Sequence, residues 1–334
     1  MHQKTAANCR KREIRGILGI AAAVCVMFGA PFVGCNVLAE TLAETGILAP
    51  IPKSEDPTVA AVRDAMLTDN FDSARVAIKI LSQKSPRSGQ AEYWAGLLCL
   101  RTGQSEDAVR YLRASQKLAD NAYTDEALAL AYYSVKQFKL FVASMSRASQ
   151  SIPDNFAPYY YLGRYYVSVE VADFQQAETL LTKAVKYDQQ NARSIYYLGL
   201  CKESRGDLER AEFDYKQVLS LPTPNPHYLA MAELGVARVA MSTNRNAEAL
   251  TYAQKAEAAL PQEAEVHTIL AKLYTTAGDL QAAVQEWKAT ESLDPTNTGA
   301  LYNLYRLYLK AGNDSLAKEA FDQYKAMSKL YGTS

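Results

Sequence analysis

The chain has 334 residues, 49% of them hydrophobic, and its 36 Lys and Arg balance 36 Asp and Glu for a formal net charge of zero. Residues 1–39 hold five cations (Lys4, Arg10, Lys11, Arg12, Arg15) against Glu13 alone, which leaves the remainder about four charges negative. A protein built to grip a phosphate backbone carries the opposite excess, which excludes nucleic acid as the main partner.

The basic start runs into GILGIAAAVCVMFGAPFVG (16–34), nineteen residues without a charge. A positive flank, an apolar run and small residues beyond it describe a secretory signal. Three fates stay open. Val37-Leu38-Ala39 offers small side chains for cleavage after Ala39. Phe32-Val33-Gly34-Cys35 resembles a bacterial lipoprotein box with lipidation at Cys35, although Phe is unusual at its first position. The run is also just long enough to remain as an uncleaved span, or to be a buried helix. Export to the periplasm or envelope is the expectation, with membrane contact only through this segment or a lipid on Cys35. Residues 1–39 therefore read as signal peptide or membrane anchor, and 40–54 as a linker.

From residue 55 to 331 the chain repeats. A small residue in the second half of each unit falls at Ala74, Ala108, Ala177, Ala211, Ala249, Ala283 and Ala317, with Phe141 in the third unit. The gaps are 34, 33, 36, 34, 38, 34 and 34 residues. Extra residues in SVEVADF before Ala177 and in PTPNP (222–226) before Ala249 account for the two longest, the latter as a longer connection. The units are 55–88, 89–121, 122–155, 156–191, 192–226, 230–263, 264–297 and 298–331.

Each unit has two apolar stripes at helical spacing with a breaker between them. In the seventh, Leu270, Leu273 and Tyr274 share one helix face, Gly278 follows, and Leu280, Ala283, Val284 and Trp287 make a second stripe closed by Pro295. Glycine recurs at the inner turn as Gly103, Gly206, Gly278 and Gly312, with Asn244 in the sixth unit, as a turn needing positive φ requires. Pro86, Pro153, Pro261 and Pro295 close units because proline cannot continue a helix. The third unit has no glycine turn, so distortion is expected there. One helical hairpin cannot bury its apolar faces alone, and neighbours must stack.

The sequence resembles the tetratricopeptide repeat. Leu198-Gly199, Gly206, Ala211 and Tyr215 carry the likeness in one unit, Leu162-Gly163, Ala177 and Ala184 in another, and Tyr274, Gly278, Ala283, Trp287 and Pro295 in a third. The resemblance implies an all-α, right-handed superhelical solenoid of about eight helix–turn–helix repeats, binding protein or peptide partners through its concave face. It also implies that the first helix of each hairpin lines that face.

Chemistry is sparse. There is no GxxxxGK[ST] phosphate loop, GxSxG elbow, HExxH or CxxC, and beyond the leader the histidines are His227 and His267, in different units. Neither an enzyme nor a cofactor or metal site is expected. Glu106-Asp107 and Asp72 suit helix starts, and Asp207 and Asp279 suit capping of second helices. Cys99 and Cys201 stand three units apart, too far for a disulfide between them, and read as buried thiols.

By alignment to the family's spacing, one inward position gives Arg63, Leu97, Leu130, Arg164, Leu200, Arg238, Lys272 and Arg306. Four residues earlier stand Tyr93, Tyr160, Tyr196 and Tyr302, and Tyr123 and Tyr133 join them from the third unit. Two readings are open. In one, tyrosines and basic side chains bind an extended or helical peptide of acidic character. In the other, the tyrosines are core and the arginines pair with glutamates along their own helices. The chaperone-tail clamp of related repeats is not expected, since Tyr160 and Arg164 occupy its lysine and asparagine positions. The expected function is a non-catalytic interaction scaffold of the cell envelope. The alternatives are an accessory subunit of an envelope assembly, secretion or enzyme complex, and a self-associating component joined through the C-terminal helix (Leu316, Tyr324, Met327, Leu330).

Overall fold

A computed structural model describes residues 56–86, 88–118, 122–168 and 171–331. The readings of the leader, of Cys35 and of the linker lie outside the described residues. Sixteen α-helices and no strand occur among the described residues. They form eight hairpins. The first four are α1 (Pro57–Leu67) with α2 (Phe71–Lys84), α3 (Gln90–Arg101) with α4 (Ser105–Leu118), α5 (Ala122–Ser134) with α6 (Phe138–Ser151), and α7 (Phe156–Val167) with α8 (Phe174–Tyr187). The next two are α9 (Ala192–Ser204) with α10 (Leu208–Leu219) and α11 (Pro226–Ser242) with α12 (Asn246–Ala259). The last two are α13 (Ala264–Ala277) with α14 (Leu280–Leu293) and α15 (Thr298–Lys310) with α16 (Asp314–Tyr331). The described residues divide into two compact units, one holding those between 56 and 166 with 179–189, the other 167–178 with those between 190 and 331.

The inner turns explain the period. Each has one residue at positive φ: Asp69, Gly103, Lys136, Ala172, Gly206, Asn244, Gly278 and Gly312. Every one stands five positions before the small-residue anchor. In every turn but that of Ala172, the next residue's N–H returns to the carbonyl five positions back, as in Gln104 to Cys99 (2.8 Å), Asp207 to Lys202 (2.9 Å) and Asp279 to Tyr274 (3.0 Å). This closure satisfies carbonyls that the first helix leaves orphaned, and it requires the left-handed residue. Side chains then start the second helix: Asp207 accepts from the Arg210 N–H at 3.3 Å and Asp279 from the Ala282 N–H at 3.0 Å, the capping role read for them above.

Two expectations are corrected. The third hairpin is not broken at its missing glycine. Lys136 takes the left-handed conformation at φ 60°, and Gln137 donates to the Tyr132 carbonyl at 2.8 Å as in the glycine turns. Phe141 is buried at the anchor, with the rings of Tyr133 and Tyr165 each 5.3 Å away. An aromatic cluster there fills the space that a close backbone approach fills elsewhere. The surplus before Ala249, in turn, is not confined to the connection. Pro226 opens α11, whose 17 residues make it longer than the 14-residue α13. Proline suits that first turn, where no donor is needed.

Within each unit, residues four positions after an anchor seat against a glycine on a first helix. Leu112 lies against Gly96, and the fully buried Tyr215 lies between Gly199 and Gly235. A Cβ added at Gly235 would stand 2.7 Å from that ring, and one at Gly199 2.9 Å from it. Such contacts leave no room for a methyl group, so the glycines set how closely the helices approach. Cys99 and Cys201 are buried free thiols, and burial pushes the Cys201 thiol up to about 12.

Candidate functional site

The ladder positions stand on first helices. In the unit that starts the array, Arg63 on α1 reaches the neighbouring Asp64 carboxylate at 3.2 Å. Tyr93 on α3 is buried, with its ring 5.6 Å from Trp94 in an edge contact. On α5, Tyr123 is half-buried, Glu126 is buried, and Asn155 Nδ2 donates to Glu126 Oε2 at 2.9 Å. Neither Tyr93 OH nor Glu126 Oε1 has a hydrogen-bond partner among the described residues. Burial pushes the Glu126 carboxyl up to about 8, against the hydrogen bond from the Asn155 amide. Glu126 is therefore a neutral acid at physiological pH, able to donate as well as accept.

Tyr160 and Arg164 are one turn apart on α7, with Arg164 Nη1 3.5 Å from the Tyr160 oxygen. Tyr160 is buried. Arg164 and Tyr133 meet Leu130, Phe141, Tyr161 and Tyr165 around a shallow recess. Three of the predicted tyrosines, Tyr93, Tyr160 and Tyr196, are thus buried in this structure, and Tyr123 and Tyr133 are half-buried.

In the other unit, Arg238 on α11 joins three successive first helices. Its Nε and Nη2 fork onto Glu203 of α9 at 2.9 and 2.8 Å, and its Nη1 reaches Glu265 of α13 at 3.2 Å. Tyr215 OH donates to Glu203 Oε2 at 2.6 Å and accepts from Arg238 Nη2 at 3.2 Å. Only 14% of the Arg238 side chain is exposed. This corrects the expectation of an exposed groove arginine: Arg238 already holds two carboxylates, both from other helices. Burial opposes ionisation of Glu203, but the Arg238 charge and the hydrogen bonds from Arg238 and Tyr215 outweigh it and hold the carboxyl below its ordinary range. Glu265 keeps a raised pKa because burial exceeds the help from Arg238. Tyr196 packs beside this network, its ring 5.8 Å from Tyr215.

The C-terminal end of that unit differs. Lys272 on α13 and Arg306 on α15 are exposed, and their side chains make no hydrogen bond or ion pair among the described residues, although the Lys272 charge acts on the Glu265 carboxyl. Tyr302, one turn before Arg306, is 42% exposed, with Tyr324 of α16 5.4 Å away. Sequence reasoning missed Glu126, Glu203 and Glu265, because a glutamate in a polar-looking helix carries no sign of its burial.

A tetratricopeptide repeat family model matches residues 59–123, 162–220 and 234–298, more than half of the chain. The chain belongs to the tetratricopeptide repeat family. Among individual proteins, it is 26% identical over 203 residues to the Bos taurus DnaJ homolog subfamily C member 3, covering 53% of this chain and 40% of that protein. It is 22% identical over 257 residues to Tetratricopeptide repeat protein 8 of Caenorhabditis elegans, covering 75% of this chain and 50% of that one. The chain thus spans half or less of the length of these relatives. Among solved structures, a chain of the APC/C hetero-tetramer Cut9–Hcn1 matches at a TM-score of 0.61 and 16% identity, covering 85% of this chain and 52% of that chain. The type IV pilus biogenesis factor PilW matches at 0.53 and 20% identity, covering 62% and 94%. These likenesses show the fold, an all-α stack of tetratricopeptide hairpins. Proteins of this family are interaction scaffolds that bind protein or peptide partners and are typically not catalysts. No helix among the described residues is long and apolar enough to cross a membrane.

Proposed function

We propose that this tetratricopeptide protein is a non-catalytic scaffold of a bacterial cell envelope and that its first-helix face holds a peptide or protein segment of acidic character. The observation that carries the reading is the exposed set Lys272, Tyr302 and Arg306, on the first helices of the last two hairpins. Two exposed cations and an amphipathic ring suit carboxylates and an extended backbone together. The uncharged run at 16–34 after a basic flank supports export. Mass spectrometry of the mature N-terminus tests that part: Glu40 first or an acylated Cys35 supports it, and an intact, water-soluble Met1 chain in the cytosol overturns it.

For the face itself, a ligand is selected from a displayed library of acidic peptides, and its affinity is measured with Lys272→Ala, Arg306→Ala and Tyr302→Ala. Each should weaken binding by ~1–2 kcal/mol, since a few central residues dominate such interfaces. Unchanged affinity in all three removes the face from the proposal. A second reading is self-association through α16, where Leu330 is 70% exposed. Light scattering that finds a strict monomer at micromolar concentration removes it.

A further inference from the structure

Glu257, His267 and Glu286 belong to none of the features above. They lie on α12, α13 and α14, so three consecutive helices of one compact unit each send a side chain to the same place. His267 is buried. Its Nδ1 is 2.8 Å from Glu286 Oε2, and its Nε2 is 3.1 Å from the Pro261 carbonyl oxygen. One ligating atom from each of the three residues lies within 4.8 Å of the other two.

The carbonyl settles which nitrogen does what. A carbonyl oxygen only accepts, so Nε2 carries a proton and donates it to Pro261. Nδ1 is then the nitrogen turned toward the Glu286 carboxylate. An imidazole anchored through its far N–H to a backbone carbonyl, with its near nitrogen beside an anionic oxygen, has the support that metal-bound histidines ordinarily have. In the metal-free protein the same surroundings favour a second proton on the ring. Burial works against that charge, while the Glu286 and Pro261 hydrogen bonds and the Glu257 charge favour it and raise the pKa. Proton and cation compete for one nitrogen.

We propose that Glu257, His267 and Glu286 bind one zinc ion, which ties α12, α13 and α14 together. The donor chemistry selects the metal. One imidazole and two carboxylates suit zinc, with solvent as a fourth ligand, whereas calcium and magnesium prefer oxygen throughout. A tetrahedral zinc with bonds of about 2.0–2.1 Å sets its donors about 3.4 Å apart. The His267–Glu286 pair opens slightly and Glu257 closes in, movements within the reach of side-chain rotation. Two carboxylates neutralise the divalent charge. Glu257 and Glu286 are each partly exposed, so the ion reaches the site from solvent. Such an ion would brace the junction between the sixth and seventh hairpins.

The test is calorimetry and thermal melting of the full, chelator-treated chain with zinc chloride. One zinc per chain and a higher Tm with zinc are expected, because a ligand of the folded state stabilises it by mass action. His267→Gln should abolish both. Glu257→Gln, at a partly exposed position, tests the site without emptying the core, and should weaken zinc at least about tenfold. Circular dichroism confirms that each variant is folded. Absence of zinc binding by the wild-type chain, or equal binding by folded His267→Gln or Glu257→Gln, overturns the proposal.

Discussion

Each compact unit takes a glutamate on a first helix out of water, Glu126 on α5 in one and Glu203 on α9 in the other. Glu126 faces an amide and is pushed up to about 8, while Glu203 faces a guanidinium and a phenol and stays below its ordinary range. Glu126 is buried, and Glu203 keeps 18% of its side chain exposed. The partner decides the charge. In the first unit a neutral acid sits near Tyr93 and Tyr123, and in the second an ion-pair network pins three first helices together. The inner faces therefore differ in chemistry although the hairpins beneath them are built alike.

The largest expected effect is in the network. Arg238→Ala takes the guanidinium away from Glu203 and Glu265, and removing one partner of such a pair costs ~3–5 kcal/mol. Urea unfolding measures it, and a loss below about 1 kcal/mol would break the contrast between the units. Next comes Glu126. A carboxyl that stays protonated in the fold but ionises in the unfolded chain leaves the folded state with more bound protons. Stability therefore falls as pH rises from the ordinary carboxylate range to about 8. Glu126→Gln keeps a partner for Asn155, removes this slope, and should stabilise the protein at pH 8 by on the order of 2–4 kcal/mol. Denaturation curves across that interval check it, and an unchanged slope would place the proton elsewhere. The smallest effect compares turns. Lys136→Gly should stabilise the third hairpin by roughly 1 kcal/mol, because a side-chain-bearing residue at φ 60° is strained where glycine is not. Gly206→Ala at φ 81° should destabilise its counterpart by a similar amount. Paired melting curves show whether the two turns mirror each other.

Legibility in the sequence follows the range of each interaction. Gly206, Asp207 and Ala211 announce a hairpin because turn, cap and anchor are made within a few residues of one another. Asp69, Lys136 and Ala172 take the same left-handed conformation without announcing it. Packing on both flanking helices imposes their geometry, and their side chains only tolerate it. Among the candidate site residues, Tyr302 and Arg306 are exposed. Arg238 is not, since its partners Glu203 and Glu265 lie 35 and 27 positions away along the chain. The pairing within one helix considered from the sequence gave way to pairing between helices.

What the amino-acid order determined alone is the period, the hairpin and the family, because helix propensity, caps and turns act locally and repeat. What only the tertiary structure decided is the state of each polar group on the first helices: Glu126 neutral, Glu203 ionised, Arg238 engaged, Arg306 open. The reason is dielectric. Charge depends on which groups share a dry space, and stacking brings together residues that stand a full repeat apart in the chain.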